Sequence, residues 1–363
     1  MTGREATQWS WRFETWGRRR RAAVLGLFVV LAVWGAVAAG TSPVERSEPE
    51  AGRSDNDFYA LVVDEMRDGR GYYDVIDAEQ ADFGFPTTPV FTVREPTLAW
   101  FVSATPPIVS GSLMIGLAVL AGALALRTFD LTERSRRMWA TSTLVAACGV
   151  ALFTDPAWRA VHETWAMLLV FIGMFGLRYG RGRPSMVAIF VASLVRELVA
   201  PVMPIMAVVA WRAGRRREAV EWTVLTGVFA VFYAWHAWRV SRDVAPGATD
   251  SPGWLTWRGW PGAVDAFGSS TVLTLLNPGV ASALLLLGIL GWTMRRGAVF
   301  GPIAAVVVFY AALLCVAGRD NTWYWGYYVG GIIVVGVPMG VAALGAMFSR
   351  RVEPRCMTDD PAS

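Results

Sequence analysis

Long stretches almost free of charge recur along this chain, at 22–39, 106–126, 139–153, 158–177, 219–238, 272–294, 298–317 and 326–348. Crossing the hydrocarbon of a bilayer takes about twenty such residues, and a soluble domain has no use for so many of them. Apolar residues fill 54% of the 363 positions, and the mean hydropathy is +0.40. Inside a bilayer no water satisfies a free N–H or C=O, so continuous apolar runs of this length must close their hydrogen bonds internally, as helices. The predicted fold is an all-α, polytopic membrane bundle.

Arginine sets the direction of the spans. All 33 basic residues are Arg, and they crowd 18–21, 127–137, 178–183, 212–217, 295–296 and 350–351. Between the first two apolar stretches, residues 41–105 instead carry thirteen acidic residues against five arginines. Basic turns stay on the cytoplasmic side. The region 184–211 resists this scheme when taken as one helix, because the arginines at 212–217 then fall outside and Arg196-Glu197 falls near the midplane, where charge is costly. Two short helices, 185–195 and 198–211, with Arg196-Glu197 at the tip of their hairpin, remove both conflicts. Segments that short persist only when buried among longer helices.

The resulting topology has about ten membrane segments and both termini cytoplasmic. Residues 1–21 form a basic cytoplasmic N-terminus, 22–348 one membrane domain, 41–105 a long external loop, and 349–363 a cytoplasmic tail. The first span could be read as a signal peptide, since Ala36-Val37-Ala38 resembles a cleavage site, but its apolar stretch is longer than the usual ~7–15 residues and it reads as an uncleaved anchor. The charge rule, applied without regard to motifs, collects on one outer side the acidic loop, Asp155-Pro156, His162-Glu163, Arg196-Glu197, the loop 240–270 and Gly318-Arg319-Asp320-Asn321.

The absence of Lys excludes a phosphate-loop lysine and a Schiff-base lysine. Cys148, Cys315 and Cys356 imply neither a disulfide framework nor a metal cluster, and two histidines, His162 and His236, argue against a multi-histidine zinc site. Trp254, Trp257, Trp260, Trp323 and Trp325 suit the membrane interface, with sugar stacking as the alternative.

The order of features resembles the GT-C glycosyltransferases, polytopic enzymes that use lipid-phosphate sugar donors. A first helix leads to a long external loop with an acidic residue four before a tyrosine, here Asp55 and Tyr59. A Gly-x-x-x-Tyr element follows, here Gly69 to Tyr73, and a basic residue stands at a later hairpin tip, here Arg196. The chain is more specifically similar to the bacterial cell surface glycopolymer formation proteins. That likeness rests on Gly69-Arg70-Gly71-Tyr72-Tyr73, on Phe85-Pro86-Thr87-Thr88-Pro89 running on to Trp100, on His162-Glu163-Thr164-Trp165-Ala166, on Arg196-Glu197, and on Gly318-Arg319-Asp320-Asn321-Thr322-Trp323-Tyr324-Trp325-Gly326. The chain departs from the group's pattern after Arg94, where it has Glu95-Pro96 and the group has Leu-Pro-Thr.

The resemblance implies a membrane enzyme of envelope glycan assembly in the bacterial plasma membrane. It would move a sugar from a polyprenyl-phosphate donor to an envelope glycan or lipid acceptor at the extracytoplasmic face, with no nucleic acid involved. Inverting transfer needs a carboxylate to take the acceptor proton. Asp55 stands at helical spacing from Tyr59 and leads, with Asp57 second; the alternative is a solvated acidic stretch continuing Glu45, Glu48 and Glu50. Glu163 could assist the base, bind a divalent cation such as Mg or Mn with Asp55, or simply sit at a helix start. Arg94, Arg196 and Arg319 are candidates for the donor phosphate, since a guanidinium holds two phosphate oxygens at once. Each also has an adjacent acid that could neutralise it, Glu95, Glu197 and Asp320. Tyr59, Tyr73, His162, Glu197, Asp320 and Asn321 complete the expected substrate-binding set. The rival class is a non-catalytic membrane component or a transporter for glycopolymer export; a carrier would carry its polar residues across the bilayer.

Overall fold

The computed structural model describes residues 11–41, 54–128, 156–177, 182–242 and 250–348, and every regular element within them is a helix. The span expected at 139–153 lies outside these residues, as do Asp155, Cys148, Cys356 and the arginines at 134–137, 178, 181 and 350–351. Three helices are long and apolar enough to cross a membrane by length and composition, at Arg18–Val37, Pro107–Ala125 and Asn321–Phe348. Shorter apolar helices occupy His162–Gly176, Gly182–Val195, Pro278–Met294 and Phe300–Val316. Against the roughly ten membrane segments expected, two of them short, the described residues hold three long apolar helices and a set of shorter ones.

The helices are α1 (Arg18–Thr41), α2 (Asp55–Arg67), α3 (Tyr72–Glu79), α4 (Thr97–Ala104), α5 (Pro107–Thr128), α6 (His162–Gly176), α7 (Gly182–Val195), α8 (Val202–Arg212), α9 (Arg216–Arg242), α10 (Gly259–Ser269), α11 (Pro278–Met294), α12 (Phe300–Val316) and α13 (Tyr327–Phe348). Their starts follow local chemistry. Ser54 caps α2, accepting from the Asp57 N–H while the Asp57 carboxylate accepts from the Ser54 N–H at 2.9 Å. Asn277 caps α11 through the Gly279 N–H at 2.9 Å, with Pro278 at the first helical position, where its missing N–H costs nothing.

The stretch 184–211 is broken where the charges stand. α7 ends at Val195, Arg196 is extended (φ −152°, ψ 112°), one short turn covers Glu197–Val199, and α8 begins after Pro201. Proline has no N–H to give to a continuing helix, and the break frees carbonyls that need donors. Tyr310 supplies one, its hydroxyl donating to the Leu198 carbonyl. The start of α7 lies beside the start of α9, with Arg183 Nη2 3.6 Å from Glu221 Oε1, so α7 and α8 do return on each other.

Two ends follow from this. At the turn end, Arg12 Nε donates to the Arg295 carbonyl at 3.4 Å and Arg296 to Thr15 Oγ1 at 3.3 Å; Phe175 of α6 meets Trp292 of α11 nearby. At the loop end, Ser251 N–H donates to the Thr88 carbonyl at 2.8 Å and Gly318 N–H to the Trp254 carbonyl at 2.8 Å, which ties three distant loops together. Between the ends, α11 and α13 run parallel, Leu290 and Met294 packing with Ala343 and Met347. They touch through Gly288, Gly291, Gly336 and Gly340; a methyl group on Gly340 would collide with the Leu287 carbonyl.

Candidate functional site

At the loop end, three elements bring charge into the interior. Arg94 comes from the extended segment before α4, Glu163 from the first turn of α6, and Arg196 with Glu197 from the break between α7 and α8. All are largely hidden: Arg196 is 1% exposed, Glu163 5%, Arg94 8%. Arg196 Nε donates to Glu163 Oε1 at 2.9 Å, and its Nη1 is paired with Glu197. Arg94 Nη2 lies 3.6 Å from the same Glu163 oxygen and 3.4 Å from the Tyr324 hydroxyl. One glutamate therefore stands between two guanidinium groups. A buried charge without such partners would be strongly unfavourable, so each of these side chains depends on the others.

The Gly69–Tyr73 motif explains how Arg94 is held. Gly69 (φ +99°) ends α2 in a Schellman turn, its N–H on the Met66 carbonyl and that of Arg70 on Glu65. The chain then re-enters as α3, whose Tyr72 hydroxyl donates to the Arg94 carbonyl at 2.7 Å. Tyr73 hydrogen-bonds His236 Nδ1 at 2.9 Å, and His236 Nε2 reaches the Val93 carbonyl at 3.2 Å. Both tyrosines thus act on the backbone that carries Arg94, Tyr72 directly and Tyr73 through His236.

Asp55 and Asp57 separate. Asp57 is exposed and spent on the helix cap, and the Ser54 hydrogen bonds hold its carboxyl below the usual carboxylate range. Asp55 is exposed at the start of α2. The protein packed around it still raises its carboxyl above the ordinary value; Arg94 and Arg196 oppose the shift and Glu163 adds to it. Its field therefore meets those of the buried cluster. Tyr59, on the same helical face, packs its ring edge-on against His162, with centroids 4.9 Å apart.

Several buried polar atoms of this region have no partner among the described residues: Arg94 Nε, both His162 nitrogens, the Tyr328 and Tyr233 hydroxyls, and both oxygens of Glu95. Glu95 is fully buried. The sequence pairs it with Arg94, whereas the structure gives Arg94 to Glu163 and leaves Glu95 beside Glu197. Burial first, then the Glu197 carboxylate, push the Glu95 carboxyl well above its usual range. Tyr324, Tyr328 and Tyr233 also belong to the neighbourhood of the cluster. Tyr324 lies inside a motif that stood out in the sequence; Tyr233 gave no signal, being one aromatic residue in an aromatic helix.

Arg319 is not brought to the other two arginines. Its guanidinium donates to Ser251 Oγ at 3.0 Å and lies over the Trp254 ring at 5.0 Å. Asn321 is exposed, and Asp320 opens the short helix Asp320–Gly326, its side chain lying outside the described residues. For a divalent cation, no group of three or more His, Cys, Asp or Glu gathers among the described residues. Glu163, the carboxylate proposed to share a cation with Asp55, already faces two guanidinium groups, an arrangement that disfavours a further positive charge. No family model, no characterised protein and no solved structure matches this chain.

Proposed function

We propose that this chain is a membrane glycosyltransferase of the GT-C kind, acting on a polyprenyl-phosphate-linked sugar at the loop end, with that end extracytoplasmic in a bacterial plasma membrane. The observation that carries the reading is the convergence of Asp55, Arg94, Glu163 and Arg196 from four distant segments on one place. In the reaction, an acceptor hydroxyl oxygen bonds to the anomeric carbon as the bond from that carbon to the phosphate oxygen breaks. Asp55 receives the hydroxyl proton, and polyprenyl phosphate leaves as an anion. Arg94, whose Nε has no partner, offers the free donor for that charge, and Arg196 adds its positive field. Glu163 positions both guanidinium groups. A membrane-borne donor accounts for so hydrophobic a chain, and use of it outside the cell needs no nucleotide-binding motif.

One observation favours the rival, non-catalytic reading: Arg196 is already engaged by two carboxylates, as in a purely structural network. Purified protein incubated with radiolabelled polyprenyl-phosphate sugars and membrane extract decides between them. Label should transfer, and Asp55→Asn should lower the rate by about 10²–10⁴-fold. Asp57→Asn should stay near wild type, because its carboxylate serves the cap. Since Asp55 acts deprotonated and its carboxyl lies above the ordinary ~3.9, the rate should rise with pH through a limb that Asp55→Asn abolishes. Full activity in both variants would remove Asp55 and Asp57 from the mechanism. Absence of transfer with every donor would favour the rival. For orientation, single cysteines in a Cys-free background should react with an impermeant reagent from outside at Asn321, Arg53 and Pro246, and not at Gly214 or Thr132.

A further inference from the structure

The opposite end of the α7–α8 hairpin holds a second charged feature that the proposed chemistry does not use. Where α7 begins and α8 turns into α9, a cleft of about 650 Å³ opens, walled by Arg183, Arg215, Arg216 and Arg217 with Pro184 and Met186. The turn is built for it: Gly214 (φ +76°) closes α8 in a Schellman turn, with the Arg215 N–H on the Ala210 carbonyl, so three consecutive arginines follow at once. Glu218 and Glu221 are the carboxylates of the wall. Arg215 pairs with Glu218 at 3.0 Å, while Arg183 and Arg217 share Glu221 at 3.6 and 3.3 Å. Arg216 stacks on Trp211 at 3.5 Å. Four arginines against two glutamates leave two positive charges in excess. The amide groups at the start of the 27-residue α9 add to that potential.

We infer that this cleft binds the phosphate headgroup of an acidic glycerophospholipid. Three features together select that ligand. The excess charge suits one or two phosphates, and guanidinium groups hold phosphate oxygens in pairs. The Pro184 and Met186 wall gives the glycerol and upper acyl carbons an apolar seat. Trp211 is 55% exposed beside it, and indole rings favour the interface between headgroups and tails. Basic pockets between membrane helices on the cytoplasmic side are suited to such headgroups. Because the cleft joins the start of α7 to the start of α9, which follows α8 directly, the lipid would brace the base of the hairpin that presents Arg196-Glu197 at its far tip.

The test uses the full chain in nanodiscs of phosphatidylcholine alone, or with one fifth phosphatidylglycerol, and follows lipid retention by native mass spectrometry together with thermal unfolding. Phosphatidylglycerol should be retained selectively and raise the unfolding temperature. Arg216→Gln with Arg217→Gln should weaken its retention about thirtyfold, two arginines each contributing at the usual scale for a juxtamembrane charge. Arg296→Gln, at the same end but outside the cleft, should leave retention unchanged. Equal retention of both lipids, or equal losses in the cleft variant and in Arg296→Gln, would reduce the feature to diffuse surface charge and overturn the site. Displacement of the lipid by millimolar inorganic phosphate would assign the cleft to a free phosphate and overturn the lipid. None of these readings depends on sugar transfer.

Discussion

Arginine is used in opposite ways at the two ends of this molecule. At the turn end the guanidinium groups are exposed and pair along one helix or with its neighbour: Arg217, with 82% of its side chain open, meets Glu221 one turn on. At the loop end Arg94 and Arg196 are enclosed and pair across elements separated by tens of residues, through one shared Glu163. Exposed pairs of the first kind contribute little to stability, with a median of about 0–1 kcal/mol. Breaking a buried network leaves an uncompensated charge and costs several kcal/mol. The same side chain therefore stays at the surface at one end and organises a buried network at the other.

That contrast can be broken most directly at Glu163. Glu163→Gln leaves two guanidinium groups facing each other in the interior and should destabilise the protein by about 3–5 kcal/mol, measured by denaturation in detergent. Arg217→Gln should stay within about 0.5 kcal/mol of wild type. Similar losses for the two would erase the distinction. Exchanging charges, Arg196→Glu with Glu197→Arg, would rescue an isolated pair. Here it places a new carboxylate against Glu163, so the double variant should remain as unstable as Arg196→Glu alone; recovery of folding would mean that the bond to Glu163 carries no weight.

The smallest effect is expected at Glu95. Its folded-state carboxyl lies well above the unfolded value of about 4.3, so the stability it contributes is present in acid and is lost as pH rises through the raised value. Glu95→Gln keeps the shape and fixes the neutral form. It should match wild type in acid and exceed it increasingly as pH rises above about 4.3, and a variant that unfolds at every pH would show that Glu95 is ionised in the fold.

Much of this was legible in the chain. The break at Arg196-Glu197 followed from charge economy alone, because a continuous helix would have buried the pair and exported four arginines. The bounds of α5, α12 and α13 fall within a residue or two of the apolar runs that announced them. Partner choice was legible only in part. Arg196 does pair with the adjacent Glu197, whereas Glu95 invited a pairing with Arg94 that does not form, since neighbours on an extended segment point to opposite sides and Arg94 turned to a glutamate nearly seventy residues on. Spacing ranked Asp55 only a little ahead of Asp57; what sets them apart in the structure is a serine at position 54, which makes Asp57 a cap.

The shortness of the hairpin has a consequence for depth. At about 1.5 Å per residue, the fourteen residues of α7 rise about 21 Å and the eleven of α8 about 16 Å, against a hydrocarbon layer of about 30 Å. On the reading proposed above, with the bases of these helices at the inner boundary, their tip would end below the outer one. Arg196 would then wait roughly 9 Å beneath the outer edge of the hydrocarbon layer, and deeper still beneath the lipid phosphates. A prenyl-linked headgroup would have to sink to meet it, or the bilayer would have to thin around this flank of the protein. Thickness of the host membrane thus becomes a variable of the chemistry: lengthening the acyl chains of a reconstituted bilayer should slow a reaction whose every reacting group is left unchanged.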